Sequence, residues 1–571
     1  MRHFFAVFTL GILLIGILDA QETDPGVVSG NISVLFQSYQ EDSIIGAVVP
    51  PSKSGFNAYS NIIYTQGNFS AGFRYESYLN SVLGFPGRFK GSGIGYRYAR
   101  WSDPEIGVDV TVGNFYETFA AGILLRSYEE RNLGLDNAMD GVRLLLSPVD
   151  GIEVKMVYGK QRLDFDSRLI NSDGIVRGLD VEISLNDIIP ALKDSKLRLI
   201  PGYSFVSRYQ EGGNIVKDTL ILELPENVAG WEYGATIHYG MWKGGIGLTK
   251  KINDPSADNG YIYKEGEALM YYLTGNIKDL TFLFQRSTTD NMSFRSDRDL
   301  LLFDAPINNI PVITKNHTYN LASTLYPYAT VINGESSFRG ELYYNLKRGS
   351  KLGGKYGTKM NLVFATSYSL DTTNFGREDG RPDLVYGYQR NSWGFGDSLN
   401  VQDISFEIER KFSKTFKAKA MYMNLIFNTL ATPVTTDYKG LVNANIYVLE
   451  TQIRTAKRQS LRTEFQVLTT GKWRDVEGEL FKQDKGDWAT VVAEYTWSPH
   501  WFVNITDQYN FGNPNIDKRV HYLYGSAGYI NGSHRLSVGY GKRREGVFCV
   551  GGVCRSVPAS NGLEVTFTSS F

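Results

Sequence analysis

The chain has 571 residues, with 59 Lys and Arg against 60 Asp and Glu and a formal net charge of −1. That balance excludes the basic surface of a nucleic-acid binder, so no nucleic-acid partner is expected. Glycine (59), tyrosine (36) and phenylalanine (32) are abundant. Long patterns of helical period are missing, only short ones such as 187–196 occurring, which excludes a mainly helical protein.

Met1-Arg2-His3 is a short basic leader, residues 4–18 are almost wholly apolar, and Asp19-Ala20-Gln21 reads as a cleavage point. This predicts a signal peptide over 1–20 rather than a membrane span, since it is too short and polar sequence follows. No cysteine follows the apolar run, which argues against a lipid anchor. The two cysteines of the chain, Cys549 and Cys554, fit an oxidising compartment with at most one bridge.

From Val27 onward one theme repeats: about ten residues of alternating character, then a turn. Residues 68–75 separate into two faces, and 142–146 and 152–158 flank the turn 147–151. The second half reads most cleanly. Ile404, Phe406 and Ile408 share one face, while Ser405, Glu407, Glu409 and Lys411 share the other. Leu461, Phe465 and Val467 alternate with Arg462, Glu464 and Gln466, and Tyr447, Leu449 and Ile453 alternate with Val448, Glu450, Gln452 and Arg454. Periodicity alone allows a soluble sandwich or a membrane barrel. Link lengths separate them. Short links at 412–415, 455–459, 498–500 and 531–533 alternate with long ones at 428–443, 470–486, 510–519 and 541–561, the rhythm of periplasmic turns and outer loops. The expectation is an all-β, single large antiparallel transmembrane barrel of about 24–26 strands over 21–571. The rhythm slips once, so 288–335 is expected to hide one strand too many or too few, or to fold into the lumen. The other long link, 371–400, reads as a mobile outer loop.

Catalysis finds little support. His238, His317, His500, His521 and His534 are scattered, and no HExxH or GxSxG motif occurs. Gly91-Ser92-Gly93-Ile94-Gly95 opens a strand with no helix behind it, so it is no phosphate loop. No metal, cofactor or catalytic residue is expected, although barrel-borne hydrolases keep an enzyme reading open. The clearer clue is the inner wall, where Glu407, Glu409, Lys411, Glu450, Arg454, Arg462 and Glu464 are expected. Buried charges need water or partners, and so wide a barrel must hold water, a folded-in segment or another protein. Trp497, Trp501, Phe502, Tyr522 and Tyr524 read as an interfacial girdle.

The last ten residues place Leu563, Val565, Phe567 and Phe571 apart from the polar groups between them. This resembles the closing strand of outer-membrane barrels, which the assembly machinery reads; an ordinary edge strand is the alternative. Cys549 and Cys554, separated by Val550-Gly551-Gly552-Val553, are expected to form a disulfide at the tip of the last outer loop.

The stretch 546–562, with Val112-Gly113-Asn114-Phe115-Tyr116-Glu117, Asp290-Asn291-Met292-Ser293-Phe294-Arg295-Ser296, Gly353-Gly354-Lys355-Tyr356-Gly357-Thr358 and Ser498-Pro499-His500-Trp501-Phe502, resembles a Bacteroidota outer-membrane barrel family catalogued as a domain of unknown function. The resemblance implies the barrel and brings no activity or site residues. The expected function is a passive or gated channel for small solutes or polymers; the rival is a non-conducting assembly component with a plugged or partner-filled lumen. Strands begin near Val27, which leaves no amino-terminal domain to serve as a transporter plug. Expected partners are outer-membrane lipid, the barrel-assembly machinery and an unidentified periplasmic or outer-membrane protein.

Overall fold

A computed structural model describes residues 26–301, 304–331, 334–380, 383–431, 438–474, 478–550 and 553–571, leaving out the side chains of 548–555. The expected leader lies outside the described residues. Twenty-four strands form one sheet, and it closes on itself. The first strand, Val27–Gln40, pairs antiparallel with the last, Ser560–Ser570, from Asn31↔Ser570 to Gln40↔Asn561. Closure is what lipid demands, because an open edge would leave backbone groups that hydrocarbon cannot satisfy.

Residues directly opposite in an antiparallel pair share a face, so the register assigns every side chain inward or outward. Tyr447 pairs with Val467 and Leu449 with Phe465, and these four are 39–50% exposed. The residues between them, Val448, Glu464 and Gln466, are no more than 5% exposed. The exposed apolar set thus faces lipid and the buried set, Val448 with Glu464 and Gln466, faces the lumen. This outward apolar band recurs around the barrel and places the protein in the outer membrane.

Short turns such as 412–415, 457–458, 498–500 and 532–533 gather on the periplasmic side, and the longer loops on the outer side. All strands keep one alternation, which corrects the expectation that 288–335 hides a strand. Leu280–Asp290 and Gly334–Leu346 are neighbours in the sheet, joined on the outer side by that segment. The apparent slip has a different cause. Ile152–Asp166 and Leu169–Ile183 are 15-residue strands linked by a tight outer turn, while the periplasmic links 184–196 and 347–357 are long. Where strands rise above the membrane, link length no longer reports the side.

The girdle expectation is corrected in part by the register. Trp497 and Trp501 pair directly and face outward, 43% and 55% exposed. Phe502 pairs with Thr496, Tyr522 with Gln508 and Tyr524 with Thr506, all on the lumen face.

Candidate functional site: the barrel lumen

The inner wall from Leu399–Lys411 to Trp488–Trp497 is divided by height. Its outer half is mostly apolar: Val401, Met423, Leu425, Phe427, Val442, Ile446 and Leu468 point inward and are at most 3% exposed, with Asp403 and Gln466 buried among them. What covers them is the segment 311–331. Its Tyr319, Leu321, Ala322, Leu325, Tyr326 and Tyr328 join the wall in one buried cluster. The segment contains the five-residue helix Asn320–Thr324, which has no side-chain cap of its own. The wall supplies one instead: Leu321 N–H donates to Gln466 Oε1 at 2.9 Å, satisfying a donor that a helix start leaves orphaned. Tyr319 Oη donates to Glu450 at 3.2 Å, and His317 Nε2 lies 2.7 Å from Asp403 Oδ2. Burial holds the Tyr326 hydroxyl well above the ordinary phenol range.

The preceding stretch, 291–310, packs on a different part of the wall together with the inward-folded loop 116–138. Met292, Phe294 and Ile307 cluster with Phe119, Ile123, Leu124 and Leu125 from that loop. Val157, Val176, Val206, Val228 and Ala268 join them from the inward faces of five strands. The two segments are laced together: Arg126 N–H donates to the Ile307 carbonyl at 2.8 Å, and Asn308 Nδ2 to the carbonyls of Ile123 and Met292, both at 2.7 Å. Polar pins then fix them to the wall and to its outer links. Arg208 donates to the Arg295 carbonyl at 3.0 Å and to Asp254 at 2.9 Å, and Arg298 donates to the Pro225 carbonyl at 2.9 Å. The wall leaves room for this packing. A Cβ on Gly178 would stand 2.6 Å from the Phe119 ring, and one on Gly230 would stand 2.8 Å from Leu124.

A buried ionic group ties loop 116–138 to strands Phe69–Tyr78 and Ile152–Asp166. Arg162, 2% exposed, donates to both Glu76 oxygens at 2.7 and 2.6 Å and to Asp136 at 2.9 Å. Arg74 grips Glu129 with two bonds of 2.9 and 3.0 Å. Every charge in the group faces an opposite one, the condition for keeping ions in so dry a place.

Below the covered tier, the wall's periplasmic half carries the residues singled out from the sequence. Glu407 pairs with Lys419 at 3.2 Å, and Glu409 with Lys417 at 3.4 Å. Arg462 bridges Glu450 at 3.1 Å, Glu464, and Glu494 at 3.7 Å. Lys411 and Arg454 sit further down, exposed at the rim. The inner face is therefore not charged throughout. Lys417, Lys419 and Glu494 complete the belt, and they were identifiable from the alternation of their own strands. Among the described residues no group of His, Cys, Asp and Glu is arranged to hold a metal.

Leu563, Val565 and Phe567 lie opposite Tyr540, Val538 and Leu536, which are 42–52% exposed, and so face lipid with them. Phe571 exchanges two backbone hydrogen bonds of 3.0 Å with Gly30 at the end of the seam. On the lumen side of that seam, Glu564 accepts from Gln37 at 2.7 Å and from Arg543 at 2.6 and 2.7 Å. Cys549 and Cys554 are directly paired positions of the hairpin Gly546–Val550 and Val553–Val557; their side chains lie outside the described residues. The loop 369–398 packs back on the barrel: Tyr388 Oη donates to Asp290 at 2.7 Å, and the Arg390 guanidinium stacks 3.6 Å from the Trp393 ring centre.

These features define an integral outer-membrane β-barrel whose lumen is occupied by segments of its own chain. By sequence, the chain belongs to a family of unknown function, DUF6029, whose model matches residues 1–571. No curated protein matches it. Among solved structures it is similar to the copper transporter OprC, at 9% identity and TM-score 0.40, covering 97% of this chain and 81% of that one. It is also similar to a mutant of the ferric enterobactin receptor PfeA from Pseudomonas aeruginosa, at 11% identity and TM-score 0.42, covering 96% and 81%. A third is the P pilus usher (PapC) translocation pore, at 8% identity and TM-score 0.36, covering 95% and 99%. Likeness at this level transfers no activity.

Proposed function

We propose that the protein is a gated outer-membrane channel for small solutes or polymers, closed at rest by its own segments 116–138 and 291–331. Export through the 1–20 leader and insertion by the barrel-assembly machinery, with Phe571 in the assembly signal, belong to the same reading. The observation that carries it is the two-tier lumen. A mostly apolar upper wall is covered by a stretch of the same chain, and the wall below it is charged. A permanently rigid filling would need no wet belt beneath it, and a passive pore would not present an apolar inner wall.

The test is deletion of 311–328, replaced by a short Gly-Ser linker, followed by reconstitution in planar bilayers. Wild-type protein should be mostly silent, and the deletion should give discrete steps. Selectivity should be weak, because Glu407, Glu409, Glu450 and Glu464 share the belt with Lys417, Lys419 and Arg462. A correctly folded deletion that stays silent would replace this reading with the non-conducting scaffold.

A further inference from the structure

Charge on the inner wall is compensated at mid-height but not at the periplasmic rim of the same strands. Between the turns 412–415 and 457–458 lies a pocket of about 400 Å³ lined by Lys411, Lys414, Lys417, Arg454, Lys457 and Arg458, with no carboxylate in its lining. Only Lys417 among the six has a carboxylate partner among the described residues, Glu409 at 3.4 Å. The adjoining turn 347–357 extends the patch. Arg348, Lys351 and Lys355 make no ion pair among the described residues, and the Lys411 ammonium lies 5.3 Å from the Tyr356 ring centre, joining the two turns. Like charges crowded together in water stabilise no fold. The chain as a whole is almost neutral, at −1, so this segregation of cations is not a by-product of composition.

We infer that this rim is a docking site for an acidic polypeptide segment of a periplasmic protein. Lipid is a poor match. Lys411 pairs with Lys417, and Lys417 with Gln452, on the lumen-facing side of the strands, away from the bilayer. A single small anion is a poor match too. The cations continue over three successive turns, a span of several strand spacings of about 4.8 Å each. That geometry suits carboxylates spaced along a chain. Gln452 and Ser460 in the same lining, on the lumen face with Lys417 and Arg454, offer hydrogen bonds to its backbone. The inference does not depend on the lumen being gated.

The experiment uses full-length protein in phosphatidylcholine nanodiscs and a fluorescein-labelled oligoglutamate peptide, followed by anisotropy. Binding should be saturable and weaken steeply as salt rises from about 50 to 300 mM. Lys414→Gln, Arg454→Gln, Lys457→Gln and Arg458→Gln combined should weaken it at least about tenfold. An equal charge change at or beside other periplasmic turns, Lys193→Gln, Lys196→Gln, Lys243→Gln and Lys278→Gln, should alter it less than about twofold. Heat-modifiable migration confirms that each variant is folded. Absence of wild-type binding, or equal losses in the two variants, would overturn the inference. Displacement of the peptide by phosphatidylglycerol in the disc would assign the rim to lipid. Displacement by inorganic phosphate at equal negative charge would assign it to small anions. Either result would overturn it as well.

Discussion

Replacing Leu321 with aspartate should open the channel without unfolding the barrel. Leu321 is fully buried, among Val401, Met423, Phe427, Val442 and Ile446. Removing a buried leucine side chain costs about 3–5 kcal/mol once the space left behind is included. The new carboxylate adds several more, because it would sit in an apolar site without a cation. A total of more than about 5.5 kcal/mol shifts a two-state equilibrium by about four orders of magnitude. The segment escapes this cost by leaving the wall for water, while the strand pairing that holds the barrel is untouched. The assay is single-channel recording beside heat-modifiable migration, with Ile516→Asp as control, because Ile516 is 72% exposed on an outer loop. Leu321→Asp should conduct in frequent steps, with Ile516→Asp behaving as wild type. A folded Leu321→Asp barrel as silent as wild type, or a wild type already conducting at the same level, would refute the reasoning.

Three further outcomes are expected. Deleting Phe571 should sharply lower the folded barrel recovered from the membrane fraction, whereas Phe511→Ala, in an outer loop, should not; equal yields would leave only an ordinary closing strand. Non-reduced peptide mapping should show Cys549 joined to Cys554, since directly opposed strand positions stand about 4.5–5.5 Å apart, within disulfide reach; two free thiols in protein from intact membranes would exclude the bridge. Arg162→Ala should destabilise the barrel by about 3–5 kcal/mol in urea titrations, because Glu76 and Asp136 lose their buried counter-ion. Adding Glu76→Gln to that variant should restore part of the loss, and a double variant no more stable than the single one would show that the ionic group does not act as a unit.

The outward face was legible because lipid imposes one rule on every strand. Phe465 and Val467 must be apolar wherever they stand along the barrel, so the alternation survives any detail of the loops. The inner face obeys no single rule, and there the sequence reads less directly. Residues 421–427, Met-Tyr-Met-Asn-Leu-Ile-Phe, are apolar on both faces except at Asn424. In a strand already facing lipid on one side, that run is a sign that the other side is covered. The covering was written in the loops: 119–125 and 306–313 are too apolar for outer loops in water. Tyr522 and Tyr524 were misplaced for a related reason. An aromatic residue near a strand end suits the headgroup zone by composition, but only parity with Gln508 and Thr506 shows that it points inward.

Dividing the lumen by height has a consequence for how such a gate can work. Met292, Phe294, Ile307 and Leu321 are each at most 1% exposed, and exposing each costs about 1.5–3 kcal/mol. The wall residues they cover would be exposed with them. Thermal release of the whole segment is therefore rare, and a regulator must supply a differential affinity of about 5 kcal/mol or more to make the open state dominant. A ligand that touches only belt residues beyond the segment's contacts, such as Glu409 and Lys417, binds both states alike and shifts nothing. Opening has to come from something that prefers the released segment or covers the bared upper wall. That places the trigger at the segment's own contacts, from the outer wall down to Tyr319 on Glu450, and leaves the lower belt to act on what passes through.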